Sequence, residues 1–108
     1  MGVRNQAKGE EALKEIQGRN PQGSLSLVIL DVSKDESIEA AVATIKSTFG
    51  RTDVLVNNAG IAGPTEPSWE YALEDWRRVI DVDLNAVYYC CRAVVPRMRD
   101  QDYGRIVN

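Results

Sequence analysis

Two short segments place polar or small residues directly after apolar runs. Asp31 and Val32 follow Leu27-Val28-Ile29-Leu30, and Asn57-Asn58-Ala59-Gly60 follow Val54-Leu55-Val56. A carboxylate in the position of Asp31 can accept a hydrogen bond from an exocyclic amine such as that of adenine. Asn58, Ala59 and Gly60 offer small side chains and open backbone, which a flat ring or a ribose can approach closely. Each segment also has a plain structural reading: a strand-end turn for Asp31, and a tight turn with strand-pinning asparagines for 57–60.

Other chemistries are excluded by residue type. The chain contains no histidine, so Ser-His-Asp and Cys-His mechanisms are not available within it. Its two cysteines, Cys90 and Cys91, are adjacent in sequence, too close to favour a mutual disulfide. With no further Cys or His they do not complete a metal site, so no metal is expected. They read as small packing residues of a helix. The tyrosines are Tyr71, Tyr88, Tyr89 and Tyr103, and four positions beyond them lie Asp75, Arg92, Ala93 and Val107. None of the four has a lysine one helical turn on that would lower its phenol pKa for proton transfer.

The elements that must carry these residues alternate regularly. Residues 6–17 read as a helix with Ala12, Leu13 and Ile16 on one face and Gly18 as its stop. After the turn 20–23, residues 25–32 read as a strand whose continuous apolar run fits burial on both faces. Ser33 and Glu36 have the spacing of a capping box ahead of a helix over 34–49, with Ile38, Ala41, Val42, Ile45 and Phe49 on one face and Gly50 as the stop. Residues 53–57 form a second strand, 60–67 a Gly- and Pro-containing loop, and 69–79 a helix. A long helical segment reaches about residue 100, with Val82, Ala86, Tyr89, Ala93 and Val94 at core spacing. A third strand starts at Arg105. Strands alternating with helices imply right-handed crossovers and a parallel sheet. The expected fold class is therefore α/β, a partial Rossmann-type sheet of about three strands with covering helices, forming one incomplete domain over 1–108. In such sheets ligands sit at the carboxyl ends of the strands, where Asp31 and Asn58 fall.

Composition narrows the partners. Of 108 residues 44% are hydrophobic, ordinary for a globular chain, and 13 basic against 16 acidic residues give a net charge of -3. No block of like charge suggests nucleic acid or an anionic membrane, and no apolar run reaches the roughly 18 residues needed to span a bilayer. No signal peptide is expected from the residues after Met1, which lack an apolar core, and a cytoplasmic location is expected.

Four segments in order carry a family resemblance. Asp53-Val54-Leu55-Val56-Asn57-Asn58-Ala59-Gly60 resembles the Asn-Asn-Ala-Gly motif of the short-chain dehydrogenases/reductases. Leu30-Asp31-Val32 lies upstream at the usual distance, and Trp76-Arg77-Arg78-Val79-Ile80-Asp81-Val82 is similar to the entry of the family's long interface helix. Gly104-Arg105-Ile106-Val107-Asn108 resembles the strand leading to its catalytic serine. The resemblance spans the whole chain and is nearest to bacterial 3-oxoacyl-carrier-protein reductase-like and sugar-dehydrogenase-like members.

That resemblance implies an oxidoreductase acting on carbonyl or alcohol substrates with NAD or NADP. It implies that Asp31 and Val32 flank the adenine, that Asn58, Ala59 and Gly60 line the adenosine and ribose, and that Asn57 ties strands together. Arg4 stands where an arginine meets the 2′-phosphate of NADP. Asp83 falls on the position of an asparagine that helps hold a proton-relay water, which makes it the one catalytic candidate; Asn85, two residues on, faces elsewhere around the helix. The family's glycine-rich phosphate loop and its Tyr-x-x-x-Lys pair do not occur in the 108 residues. The chain is accordingly expected to be an internal piece of such an enzyme, inactive alone and with weak or no cofactor binding. The alternative is a non-enzymatic remnant that associates through exposed sheet edges and the long helix. Homo-oligomerisation is expected through the helix around 83–100.

Overall fold

Helix stops and strand pairing set the architecture of the computed structural model, which describes residues 1–108. In chain order the elements are β1 (Gly2–Val3), α1 (Gln6–Gly18), β2 (Val28–Ile29), α2 (Asp35–Phe49), β3 (Val54–Val56), α3 (Leu73–Ile80), a π-helical turn (Asp81–Asn85), α4 (Ala86–Asp100) and β4 (Arg105–Val107). The α/β class and the alternation of strands and helices match the sequence expectation. The strands form two separate parallel pairs, β1 with β2 and β3 with β4, where a single sheet of about three strands was expected. β1 is an additional short strand, in register with β2 as Gly2 to Val28 and Val3 to Ile29. The strand expected over 25–32 is paired only at Val28–Ile29, because its partner is just two residues long before the chain turns into α1.

Local chemistry accounts for the helix ends. Asn5 caps α1 by accepting the Lys8 N–H at 3.1 Å. Asp35 and Glu36 sit in the first turn of α2, where the helix dipole favours negative charge, and Gly50 ends it at φ +76°, a conformation natural to glycine. The capping box expected from Ser33 and Glu36 does not form: the residue ahead of α2 is Lys34, without a side-chain cap. Ser33 bonds to Asp31 instead, an equally local alternative for a serine. The helix expected over 69–79 begins only at Leu73, after a turn closed by the Glu70 N–H on the Pro67 carbonyl.

The core lies between α2 and α4. Ile38 and Ala41 of α2 are buried together with Ala86, Cys90, Val94 and Met98 of α4. The α4 residues recur every four positions and make one stripe along the helix. Tyr89 and Ala93, expected in that stripe, are only partly covered. Gly9 is buried where α1 crosses β1; a Cβ there would meet Val3 at 2.6 Å, so the close approach requires glycine. No helix is long and apolar enough to cross a membrane.

Candidate functional site

Asp31 sits two residues beyond the end of β2, and its surroundings are mostly local. The Ser33 hydroxyl donates to Asp31 Oδ1 at 2.7 Å and the Ser33 N–H to the same oxygen at 3.1 Å. The Asp31 N–H donates to Ser37 Oγ at 2.8 Å, which fastens the strand end to the first turn of α2. Both side-chain bonds fall on Oδ1, so Oδ2 remains available to an incoming donor. The Ser33 hydroxyl bond, more than any other influence, holds the Asp31 carboxyl below the ordinary aspartate range. Partial burial opposes this, while the Ser33 N–H and the charges of Lys34 and Arg4 add to it. Arg4, exposed at the start of the turn after β1, is thus placed close enough for its charge to reach Asp31.

The second segment leaves the end of β3. The Asn57 N–H donates to the Val107 carbonyl at 2.8 Å and its side-chain Nδ2 to Asn108 Oδ1 at 2.8 Å. Asn57 therefore ties β3 to β4, as the resemblance implied. Asn58, Ala59 and Gly60 are exposed beyond it.

The two segments share one groove. Val32 from the end of β2 and Asn58 and Ala59 from the end of β3 line one apolar groove of about 810 Å³ running between the strand pairs, floored by α2 and α4. Asp31, Gly60 and Arg4 do not line that groove; they stand outside its residues.

Asp83 lies in the π-helical turn, and its Oδ1 accepts the Ile61 N–H at 2.9 Å. A Cβ on Gly60 would stand 3.5 Å from the same oxygen. The carboxylate therefore anchors the loop after β3 to the long helix. Asn85 bonds Asp81 Oδ1 of its own helix at 2.8 Å and takes no part in the loop. π-turns of this kind are frequent at functional sites. No group of three or more Cys, Asp or Glu side chains is placed to hold a metal ion.

The profile described as short chain dehydrogenase matches residues 1–108, the full chain. The chain belongs to the short-chain dehydrogenase family. It is 45% identical over 82 residues to 2-dehydro-3-deoxy-L-rhamnonate dehydrogenase (NAD(+)) of Sphingomonas sp. (strain SKA58), covering 76% of this chain and 33% of that protein. It is 36% identical over 98 residues to NADP-dependent 3-hydroxy acid dehydrogenase YdfG of Escherichia coli (strain K12), covering 91% and 38%. Among solved structures, levodione reductase superposes with a TM-score of 0.93 at 27% identity over 99% of this chain and 42% of that one. A metagenomic short-chain oxidoreductase in complex with NADP superposes at 0.87 with 30% identity, over 97% and 46%. The chain thus spans between a third and a half of the length of these short-chain dehydrogenase relatives, and its fold is the Rossmann-type arrangement they share.

Three participants in the site were not assigned to it from sequence. Ser33 and Ser37 hold the Asp31 segment, and the Ile61 N–H donates to Asp83. A signal existed for Ser33, since Asp followed two residues later by Ser is a frequent local turn pairing. For Ile61 there was none, because a backbone donor carries no residue-type signature.

Proposed function

We infer that this chain supplies the adenosine side of the cofactor site of an NAD(P)-dependent oxidoreductase acting on small carbonyl or alcohol substrates. The observation that carries this reading is that Val32, Asn58 and Ala59, which follow strands of different pairs, line the same groove. Small and apolar walls suit a flat heterocycle, and Asp31 Oδ2 beside them is a free acceptor for its amine. In this reading Val32, Asn58, Ala59 and Gly60 line the adenosine, Asp31 takes the adenine amine, and Arg4 meets the 2′-phosphate where the cofactor is NADP. The bound nicotinamide supplies hydride transfer. Asp83 acts at one remove, by fixing the loop that carries Asn58 to Gly60, and it occupies the position of the proton-relay asparagine.

The 108 residues alone bind cofactor weakly and do not turn over substrate, because they hold neither a glycine-rich phosphate cradle nor a tyrosine with a lysine one turn on. Mixed with NADPH and a panel of ketones, the purified chain is expected to oxidise no cofactor above the blank; steady turnover would contradict this assignment. Two free cysteines suit a reducing compartment, and we place the protein in the cytoplasm.

A second reading, association of copies through the long helix, is favoured by its outward face. Leu84 and Tyr88 are 62% and 63% exposed, and Trp76 on α3 is 55% exposed. Leu84 and Tyr88 stand four residues apart, and large apolar side chains left exposed together mark interaction sites. Sedimentation is expected to show a dimer or higher species that Leu84→Glu dissociates; a monomer at all concentrations would rule the contact out.

A further inference from the structure

A second cavity, of about 180 Å³, lies between α3 and the loop that follows β3. Ile61, Gly63 and Pro64 of the loop line one side, and Asp75, Arg78 and Val79 of α3 the other. None of these residues lines the groove between the strand pairs. The loop is held to the helical side at two places. The Ile61 N–H donates to Asp83 Oδ1 at 2.9 Å. Gly63 stands at φ +68°, and a Cβ there would meet the Tyr71 hydroxyl and, at 2.8 Å, a methyl of Val79. Only glycine fits so close an approach in a left-handed backbone. The roof of the cavity is thus fixed by packing and by a hydrogen bond.

The polar groups around this cavity lack partners. The ion pairs of the chain join Glu15 to Arg19, Asp53 to Arg51 and Asp100 to Arg99, so Asp75 and Arg78 pair neither with each other nor with another charge. Nearby side-chain hydrogen bonds run from Ile61 to Asp83, from Trp69 to Glu70 and from Asn85 to Asp81, and neither residue joins them. The Gly63 N–H and carbonyl bond to no other backbone group. An acid in the first turn of α3 suits the helix dipole, but Glu74 meets that need from outside the cavity. Glu74 is exposed, whereas Asp75 is half-buried.

We propose that this cavity binds a small zwitterion, an amino acid of the size of alanine or serine, with its ammonium at Asp75 and its carboxylate at Arg78. Residues three apart on a helix share a face, with about 5–6 Å between their Cβ atoms. Two opposite charges so placed, each without a partner, suit a ligand that carries both. A simple anion would be repelled by Asp75, and a simple cation by Arg78. The guanidinium fork can take a carboxylate through both oxygens. The volume falls below the roughly 300–1,000 Å³ usual for drug-sized ligands, which restricts entry to small molecules. The adenosine assignment concerns Val32, Asn58 and Ala59 in the other cavity. Either assignment can fail without the other.

The test is an amide-resolved NMR titration of the full chain with L-alanine, run beside acetate and methylammonium. Alanine is expected to give saturable shifts at Ile61, Gly63, Asp75, Arg78 and Val79. Each single-charge probe is expected to bind about tenfold more weakly, and alanine to lose about as much with Arg78→Gln or Asp75→Asn. Glu74→Gln removes an acid from the same helical turn outside the cavity, and is expected to leave alanine affinity unchanged. Shifts that rise linearly with alanine concentration overturn the proposal, as does binding indifferent to Arg78→Gln. Equal saturable binding of acetate overturns it too, by showing a plain anion site. A loss with Glu74→Gln as large as that with Asp75→Asn also rejects it, because a loosened helix then accounts for both.

Discussion

Asp31 concentrates the residue-scale chemistry, because one of its oxygens is taken twice by Ser33 and the other is left open. The Ser33 hydroxyl is the main cause of its lowered pKa, so Ser33→Ala is expected to raise the Asp31 pKa toward the ordinary aspartate range, as read by NMR titration of the side-chain carboxyl. An unchanged value would remove Ser33 as the cause. The sign for stability follows from proton counting. Between the lowered folded pKa and the ordinary unfolded one, the folded chain binds fewer protons, so this contribution is present above the unfolded pKa and is lost as pH falls through the folded one. At this scale the sequence was legible where position decides chemistry. Asp31, Asn58 and Asp83 could be picked out because they stand at strand ends or at a motif position. Their partners were not, since Ser33 fits a helix cap and an Asp turn equally well, and the Ile61 N–H has no side-chain identity at all.

Elements were legible where periodicity is strong. Ile38, Ala41, Val42 and Ile45 trace a helical face, and Gly50 stops it at the expected residue. The π-turn at Asp81–Asn85 was not legible, because one extra residue in a helical turn leaves the residue types unchanged while rotating everything beyond it. Beyond it, the buried stripe of α4 runs through Ala86, Cys90, Val94 and Met98, while Tyr89 and Ala93 are only partly covered. Glycines separate packing from propensity within one helix. Gly9→Ala is expected to destabilise the fold by about 1–3 kcal/mol, since its Cβ would press on Val3. Gly18→Ala, with nothing within 4 Å, is expected to be neutral or to stabilise by about 0.4–1 kcal/mol. Urea denaturation of the two variants checks the contrast, and equal midpoints would contradict the α1–β1 crossing.

Across the whole molecule, the class and the parallel direction of the strands followed from alternation, but the division into two pairs did not. Which strands become neighbours depends on contacts distant in sequence, and a local pattern carries no record of a gap between them. That division leaves the long groove, which Val32 after β2 and Asn58 and Ala59 after β3 all line. The adenosine assignment rests on that shared lining. Its most direct test is an amide-resolved NMR titration of the chain with AMP at millimolar concentrations. The account predicts weak, saturable shifts confined to Asp31, Val32, Asn58, Ala59 and Gly60, diminished by Asp31→Ala. Shifts centred elsewhere, or indifferent to that substitution, would contradict it.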